Sequence, residues 1–218
     1  MKKLLLIGLI GSIGPMLSAP AQNPLVAGRA ALEDGLHELA EKSFRRHLDE
    51  VKEPARKVEV VLYLVEALAG QGKQEDALTL LTENWESAST TTWANAYVYW
   101  TARAHYERGA FAAALKALDG IKDTPDDPHR VRTLRMKSKC LVMEGRNDEA
   151  LVEFETFQVR FAETPEAPGN LLDWASVLLA TDKAEPAANV LDRLIKDYAT
   201  SPEASTGRLW LARVWVEA

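Results

Sequence analysis

The sequence predicts an all-α protein, a right-handed α-solenoid of about five and a half helix hairpins. Three observations predict this fold. One pattern of small and large apolar residues recurs every 36 or 37 residues, and a turn-forming residue stands at the same place in each period. In addition, no segment alternates between apolar and polar residues as a half-buried strand would. We therefore expect hairpins stacked along one axis, since a single hairpin cannot bury its apolar face alone.

Each repeat carries an alanine that is followed four residues later by a large apolar residue. These pairs are Ala40/Phe44, Ala77/Leu81, Ala114/Leu118, Ala150/Phe154 and Ala187/Leu191. Twelve positions before each alanine stands a second column of small or modest residues: Gly28, Val65, Ala102, Ser138 and Ala175. Small residues let the two helices of a hairpin approach closely, and the large residue fills the groove beside them.

Turn-forming residues separate the two helices of each repeat. They are Gly35, Gly72, Gly109, Gly145 and Asp182. A glycine just past a helix end accepts the left-handed conformation that other residues resist. With prolines marking the boundaries, the units are predicted at about 22–54, 58–90, 94–128, 131–165 and 168–202, with a half unit at 203–218.

The half unit is apolar on nearly all sides, whereas the terminal helix of a solenoid usually presents a polar outer face. Two interpretations stay open. Residues 203–218 form either a capping helix that the chain or a partner covers, or part of a longer array of which this sequence is a fragment.

Residues 1–21 have the three-part layout of a secretory signal peptide. Lys2 and Lys3 precede an apolar run over 4–13, and Ala19-Pro20-Ala21 supplies a small-x-small cleavage pattern. We expect cleavage after Ala21 and export to the periplasm or the extracellular space. The mature chain, 22–218, is expected to be soluble, with no membrane-spanning segment; an uncleaved N-terminal anchor is the alternative.

Composition excludes several classes of function. The 218 residues carry a net charge of −6, which disfavours nucleic acid as a partner. With one cysteine, Cys140, the chain can form neither an intrachain disulfide nor a cysteine-rich metal site.

No catalytic or phosphate-binding motif is present, so we expect no enzymatic activity, no cofactor and no metal. The four histidines, His37, His47, His105 and His129, lack ligand spacing. Cys140 is expected to be a buried small hydrophobe, and the aspartates of the segment 123–127 a solvated turn rather than a calcium loop.

The columns Gly28/Gly35/Ala40/Phe44/Pro54 and Ala102/Gly109/Ala114/Leu118 resemble the tetratricopeptide repeat (TPR), a helix–turn–helix unit of about 34 residues. The junctions over 160–167 and 197–204 resemble those of exported bacterial TPR proteins, such as the Tol-Pal coordinators and the outer-membrane assembly lipoproteins. The latter comparison is weakened because no anchor cysteine follows the signal segment.

The resemblance implies that the first helix of each unit lines a concave surface. Its inward positions are Leu25, Arg29, Leu32, Glu59, Leu62, Glu66, Tyr99, Arg103, Tyr106, Arg132, Arg135, Lys139, Leu172, Ser176, Leu179 and Arg213. Among these, the predicted partner-binding residues are Arg29, Tyr99, Arg103, Tyr106, Arg132, Arg135, Lys139 and Arg213. Arg103 and Arg135 are expected to be exposed and to take no part in core packing.

This basic, aromatic strip suits a peptide or protein with an acidic segment or a free C-terminal carboxylate. The alternative is that the cations pair with Glu107 and neighbouring acids and are merely solvated. The function that follows is a non-catalytic protein-protein interaction scaffold in the cell envelope. The alternative function is a helper region of a larger cell-envelope enzyme or secretion assembly.

Most tryptophans lie in apolar helical context and are expected to pack in the core: Trp93, Trp100, Trp174, Trp210 and Trp215. Trp85 is the candidate for exposure.

Overall fold

The computed structural model describes residues 23–121 and 128–217, and within these ranges the regular structure consists of eleven α-helices. They are α1 (Pro24–Glu33), α2 (His37–Glu50), α3 (Pro54–Gly70), α4 (Gln74–Ser89), α5 (Ala94–Glu107), α6 (Phe111–Leu118), α7 (Pro128–Met143), α8 (Asn147–Arg160), α9 (Ala167–Ala180), α10 (Ala184–Asp197) and α11 (Pro202–Glu217). Consecutive helices pair as five hairpins, and α11 stands as the first helix of a sixth. The predicted all-α solenoid is confirmed.

The five turn positions adopt the left-handed backbone that the sequence predicted for them. The glycines have φ between 72° and 75°, and Asp182 has φ 57°. At every turn the amide of the following residue donates back to a carbonyl five residues earlier, as in Leu36 to Ala31 (2.7 Å) and Lys183 to Leu178 (2.9 Å). These bonds satisfy carbonyls that the helix end leaves open, so one local motif closes the first helix of each hairpin.

Both apolar columns lie in the interior. All ten paired residues, from Ala40 and Phe44 to Ala187 and Leu191, are buried, as are the five residues of the second column. Gly28 shows the close approach that the pattern requires, because a Cβ placed there would lie 2.5 Å from the Phe44 ring. The small residues therefore set the distance between the helices of a hairpin.

The hairpins stack so that each of the first helices α3, α5, α7 and α9 lies between the second helix of its own unit and that of the preceding unit. Each first helix also contacts the next first helix in the series, from α1·α3 to α9·α11. Hydrogen bonds reinforce this stacking: the buried Tyr97 hydroxyl on α5 donates to the carbonyl of Val58 on α3 (3.1 Å). The exposed sides of α1, α3, α5, α7, α9 and α11 thus form one surface, the first-helix groove.

Within residues 23–121 and 128–217, no helix is both long and apolar enough to cross a membrane. The predicted signal segment and the aspartates of 123–127 lie outside the described residues.

Candidate functional site: the first-helix groove

The centre of the first-helix groove is a pocket between α5 and α7. Tyr99, Arg132, Arg135 and Lys139 line it, together with Met136 and Glu166, and its volume is about 250 Å³. Four of the eight residues predicted to bind a partner therefore meet in one place. They come from neighbouring first helices, as the stacking of the hairpins requires.

The groove continues from this pocket toward α9 and α11. Lys139 also lines a second pocket of about 180 Å³, which contains Tyr106, Asp173 and Ser176. Ser176 in turn lines a third pocket of about 520 Å³, where Arg213 lies beside Trp210 on α11. Shared residues thus connect the three pockets into one strip from α5 to α11.

Acidic residues of the next unit balance most of the positive charge in the strip. The Arg135 guanidinium lies 2.8 Å from the Asp173 carboxylate, and the Lys139 ammonium lies 3.6 Å from the same group. Arg132 lies 3.7 Å from Glu166 and keeps 57% of its side chain exposed. Among the described residues between α7 and α9, these three cations therefore face two acids, which leaves an excess of one positive charge.

Arg103 is held by its own helix. Its Nε donates to Glu107 at 2.8 Å, and its guanidinium lies 4.9 Å from the centre of the Trp100 ring. Although burial opposes the charge, the bond to Glu107 raises the pKa of Arg103 above its ordinary value. Arg103 therefore pairs with Glu107, which was the alternative to partner binding that the sequence left open.

Arg135 is not the freely exposed side chain that was expected. Only 26% of it is accessible, and its guanidinium packs against Gly169 on α9, where a Cβ would lie 2.5 Å from a terminal nitrogen. The expectation that Arg135 takes no part in packing is wrong. The residue joins α7 to α9 and lines the pocket at the same time.

The aromatic side chains of the groove, Tyr99 and Tyr106, each contact a second aromatic ring. Tyr99 contacts Trp100 edge to face, with ring centres 5.5 Å apart, and Tyr106 contacts Phe111 at 5.3 Å. Burial raises the pKa of Tyr106, so its hydroxyl stays protonated and can donate a hydrogen bond. The groove therefore offers flat apolar area with polar tips close to cations.

The start of the groove, between α1 and α3, is acidic. Arg29 shares a pocket of about 230 Å³ with Leu32, Glu33, Tyr63 and Glu66. The Arg29 guanidinium lies 5.6 Å from the Tyr63 ring centre. Thus Arg29, although predicted to join the basic strip, lies among carboxylates at the other end.

Tyr63 occupies the groove position that the resemblance to the TPR unit predicted for Leu62. Leu62 lies in the core, with 7% of its surface accessible, whereas Tyr63 is half-buried and its hydroxyl donates to Glu59 at 3.3 Å. Burial, and then the negative charge of Glu59, raise the pKa of Tyr63. Of the three inward positions predicted on this helix, only that of Leu62 is wrong, because Glu66 lines the pocket and Glu59 contacts Tyr63.

The tryptophans divide between the core and the surface. Trp93 and Trp100 pack against the N-terminal core, and Trp174 and Trp210 pack against the C-terminal core. Trp215, which was expected to pack in the core, is instead 67% exposed on α11. The helix α11 therefore presents an apolar side to solvent, to which Leu209 and Val216 also belong.

Residues suited to metal or thiol chemistry do not form a site. Within the described ranges, no group of three or more histidine, cysteine or acidic side chains could hold a metal ion. Cys140 is fully buried, and burial raises the pKa of its thiol to about 11. A thiol with so high a pKa is a poor nucleophile at neutral pH.

Comparisons with known proteins agree with the solenoid fold. No protein-family model and no curated protein matches the chain. Among solved structures, it is similar to a kinesin light chain-like protein of TPR-like repeats from Podosopora anserina (TM-score 0.67, 16% identity, covering 81% of this chain and 93% of that one). It is also similar to a TPR protein from Parabacteroides merdae (0.66, 14%, 88% and 72%) and to a thermophilic TPR protein from Thermus thermophilus (0.60, 17%, 89% and 98%). At these identities the likeness establishes a TPR-like fold.

Proposed function

We propose that the protein is a non-catalytic scaffold that binds a peptide or protein partner in the first-helix groove. The observation that carries this proposal is the pocket between α5 and α7, where Tyr99, Arg132, Arg135 and Lys139 line one cavity. Aromatic area next to cations suits an extended or helical segment that carries carboxylates.

The residual charge of the strip supports a ligand of this chemistry. Arg132 is more accessible than Arg135 and Lys139, and it lies at a long 3.7 Å from Glu166. A ligand carboxylate can approach Arg132 without first breaking a short ion pair. The single excess charge favours an acidic segment or a free C-terminal carboxylate over a neutral ligand.

We further propose that the protein acts in the cell envelope after export. The support for this is the sequence of residues 1–21, where two lysines, an apolar run and a small-x-small pattern follow one another. A scaffold in the periplasm would hold an envelope protein by one segment.

The test is selection from a peptide-display library with the purified protein. We expect enrichment of peptides with acidic residues, bound more weakly at higher salt, because exposed charges are screened over about 10 Å at 0.1 M salt. The variant Arg132→Glu/Lys139→Glu should bind the selected peptides about tenfold more weakly or worse.

The matched control is Arg193→Glu/Lys196→Glu. It makes the same change in net charge on α10, where both side chains are exposed. Circular dichroism should show that both variants are folded. If the α7 variant and the α10 control bind the selected peptides as tightly as the wild type does, the groove is not the binding surface.

A further inference from the structure

The first-helix groove carries opposite charges at its start and its centre. At the start, Glu33 and Glu66 line the pocket between α1 and α3, and Glu59 accepts a hydrogen bond from the Tyr63 hydroxyl beside it. Arg29 is the one cation among the described residues that line this pocket, so the three carboxylates face one guanidinium. The start of the groove therefore has an excess of two negative charges.

Counted over the described residues, the net charge at the centre of the groove is positive. Arg132, Arg135 and Lys139 face Glu166 and Asp173, and Asp173 is shared by two of these cations. On α5, between the two regions, Arg103 is paired with Glu107 and contributes no excess charge. The neutral, aromatic surface of α5 thus separates the negative region at α1 and α3 from the positive region at α7.

The distance between the two regions follows from the stacking of the first helices. Helices in contact lie about 8–10 Å apart, so α3 and α7, with α5 between them, are separated by about 16–20 Å. An extended chain advances about 3.3 Å per residue. The two charged regions are therefore about five or six residues of extended peptide apart.

From this arrangement we propose that the groove selects a peptide segment whose basic and acidic residues are segregated, with the basic end over α1 and α3 and the acidic end over α7. The inference rests on the function proposed above and adds the partner's charge pattern to it. The residues between the two ends lie along Tyr99 and Tyr106 and are apolar or aromatic.

The order of the charges along a peptide allows the groove to discriminate between peptides more strongly than their net charge does. A segment with acids at both ends gains at α7 but meets Glu33 and Glu66 at the other end, and like charges placed opposite each other weaken binding. A segment whose lysines and aspartates alternate has the same net charge as a segregated one, yet it cannot match both regions at once.

Three synthetic peptides of equal length test the proposal by fluorescence anisotropy. The first has three lysines, an apolar spacer of about six residues and three aspartates. The second has the same composition with its charges alternating, and the third has aspartates at both ends. We expect the segregated peptide to bind about three- to tenfold more tightly than the other two, since one exposed ion pair changes an affinity by a factor of up to about five.

The variant Glu33→Lys/Glu66→Lys should reverse the preference and bind the doubly acidic peptide best. The variant Glu83→Lys/Glu86→Lys changes the net charge equally on exposed positions of α4 and should keep the wild-type order. A neutral variant, Glu33→Gln/Glu66→Gln, should abolish the preference and provides a second test if the lysine variant is poorly folded.

Equal binding of the segregated and alternating peptides would overturn the charge-order inference. If library peptides still depend on Arg132 and Lys139 in that case, the proposed binding function stands without it. Failure of all three peptides to bind overturns the inferred ligand class. The proposed function itself fails only if the library peptides ignore the groove variants as well.

Discussion

Replacement of Gly28 by alanine tests how closely the two helices of the first hairpin approach each other. A Cβ at this position would lie 2.5, 2.8 and 2.8 Å from three carbons of the Phe44 ring. Phe44 is fully buried and stacks on Tyr63 with ring centres 5.5 Å apart, so it cannot move away freely. Carbon atoms prefer about 3.5–4.0 Å, and a neighbour must therefore shift by about 1 Å.

The expected change in the free energy of unfolding is the difference between two opposing effects. Overpacking a well-filled core costs about 1–3 kcal/mol, while replacing glycine by alanine inside a helix gains about 1 kcal/mol. Gly28→Ala should therefore change the free energy of unfolding by about 0–2 kcal/mol in the destabilising direction. Ala30→Gly, on the exposed side of the same helix, measures the difference in helix propensity between alanine and glycine. It should lower the free energy of unfolding by about 1 kcal/mol.

Urea denaturation of a double-mutant cycle isolates the contact. Phe44→Leu should cost less in the Gly28→Ala background than in the wild type, because the smaller side chain relieves the clash. We expect a coupling free energy of about 1 kcal/mol. The reasoning is refuted if Gly28→Ala stabilises the protein by as much as Ala30→Gly destabilises it, with no coupling to Phe44.

Further predictions concern two turn positions, an ion-paired carboxylate and the N-terminus. Asp182→Gly should raise the free energy of unfolding by about 0.5–1 kcal/mol, because it removes a side chain from a residue at φ 57°. Gly145→Ala, at φ 73° in open space, should lower it by about 1–2 kcal/mol; denaturation midpoints measure both. Burial opposes the charge of Glu41, but hydrogen bonds from Lys73, Arg45 and Gln71 lower its pKa to about 2 from the ordinary 4.5, so the stability it contributes is complete above pH 4.5 and is lost as pH falls toward 2. That loss should be about 1–2 kcal/mol and absent in Glu41→Gln, as measured by denaturation between pH 5 and 2. In an exporting host, mass spectrometry should find an N-terminus within a residue or two of Gln22, and a full-length cytoplasmic chain would contradict the predicted export.

The repeat architecture could be predicted because its determinants are local and recur. The positive φ at Gly35 depends on a turn three residues long, and the burial of Ala40 and Phe44 follows from helical spacing. Each determinant appears in five units, so a departure in one of them, such as Asp182 in place of glycine, does not hide the pattern.

The groove could be predicted only in outline. The resemblance to the TPR unit placed Tyr99, Arg132 and Lys139 on one surface, as the structure has them. It also placed Leu62 there, where the structure has the neighbouring Tyr63. Ion pairs between units were not predictable. Asp173, which pairs with Arg135, lies 38 residues further along the chain, and which acid meets which cation depends on how neighbouring hairpins are packed.

Buried polar contacts were also missed. The amide of Gln158 donates to the Tyr198 hydroxyl at 2.8 Å, and Asn170 donates to the carbonyl of Phe154 at 3.0 Å. Glutamine and asparagine are usually exposed, so composition gives no signal for them. Their partners lie 40 and 16 residues away and become neighbours only when the units stack.

Site-specific photo-crosslinking would show directly whether a partner binds in the first-helix groove. A photoreactive residue is placed either at Tyr106, which lines the groove, or at Val159 on α8, which is 77% exposed on a second helix. Each protein is irradiated with a library-selected peptide and, separately, with envelope extract. If the groove is the binding surface, position 106 should form a crosslink to the peptide and to a discrete protein partner, while position 159 should form neither. Crosslinks from position 159 alone, or equally from both positions, would contradict binding in the groove.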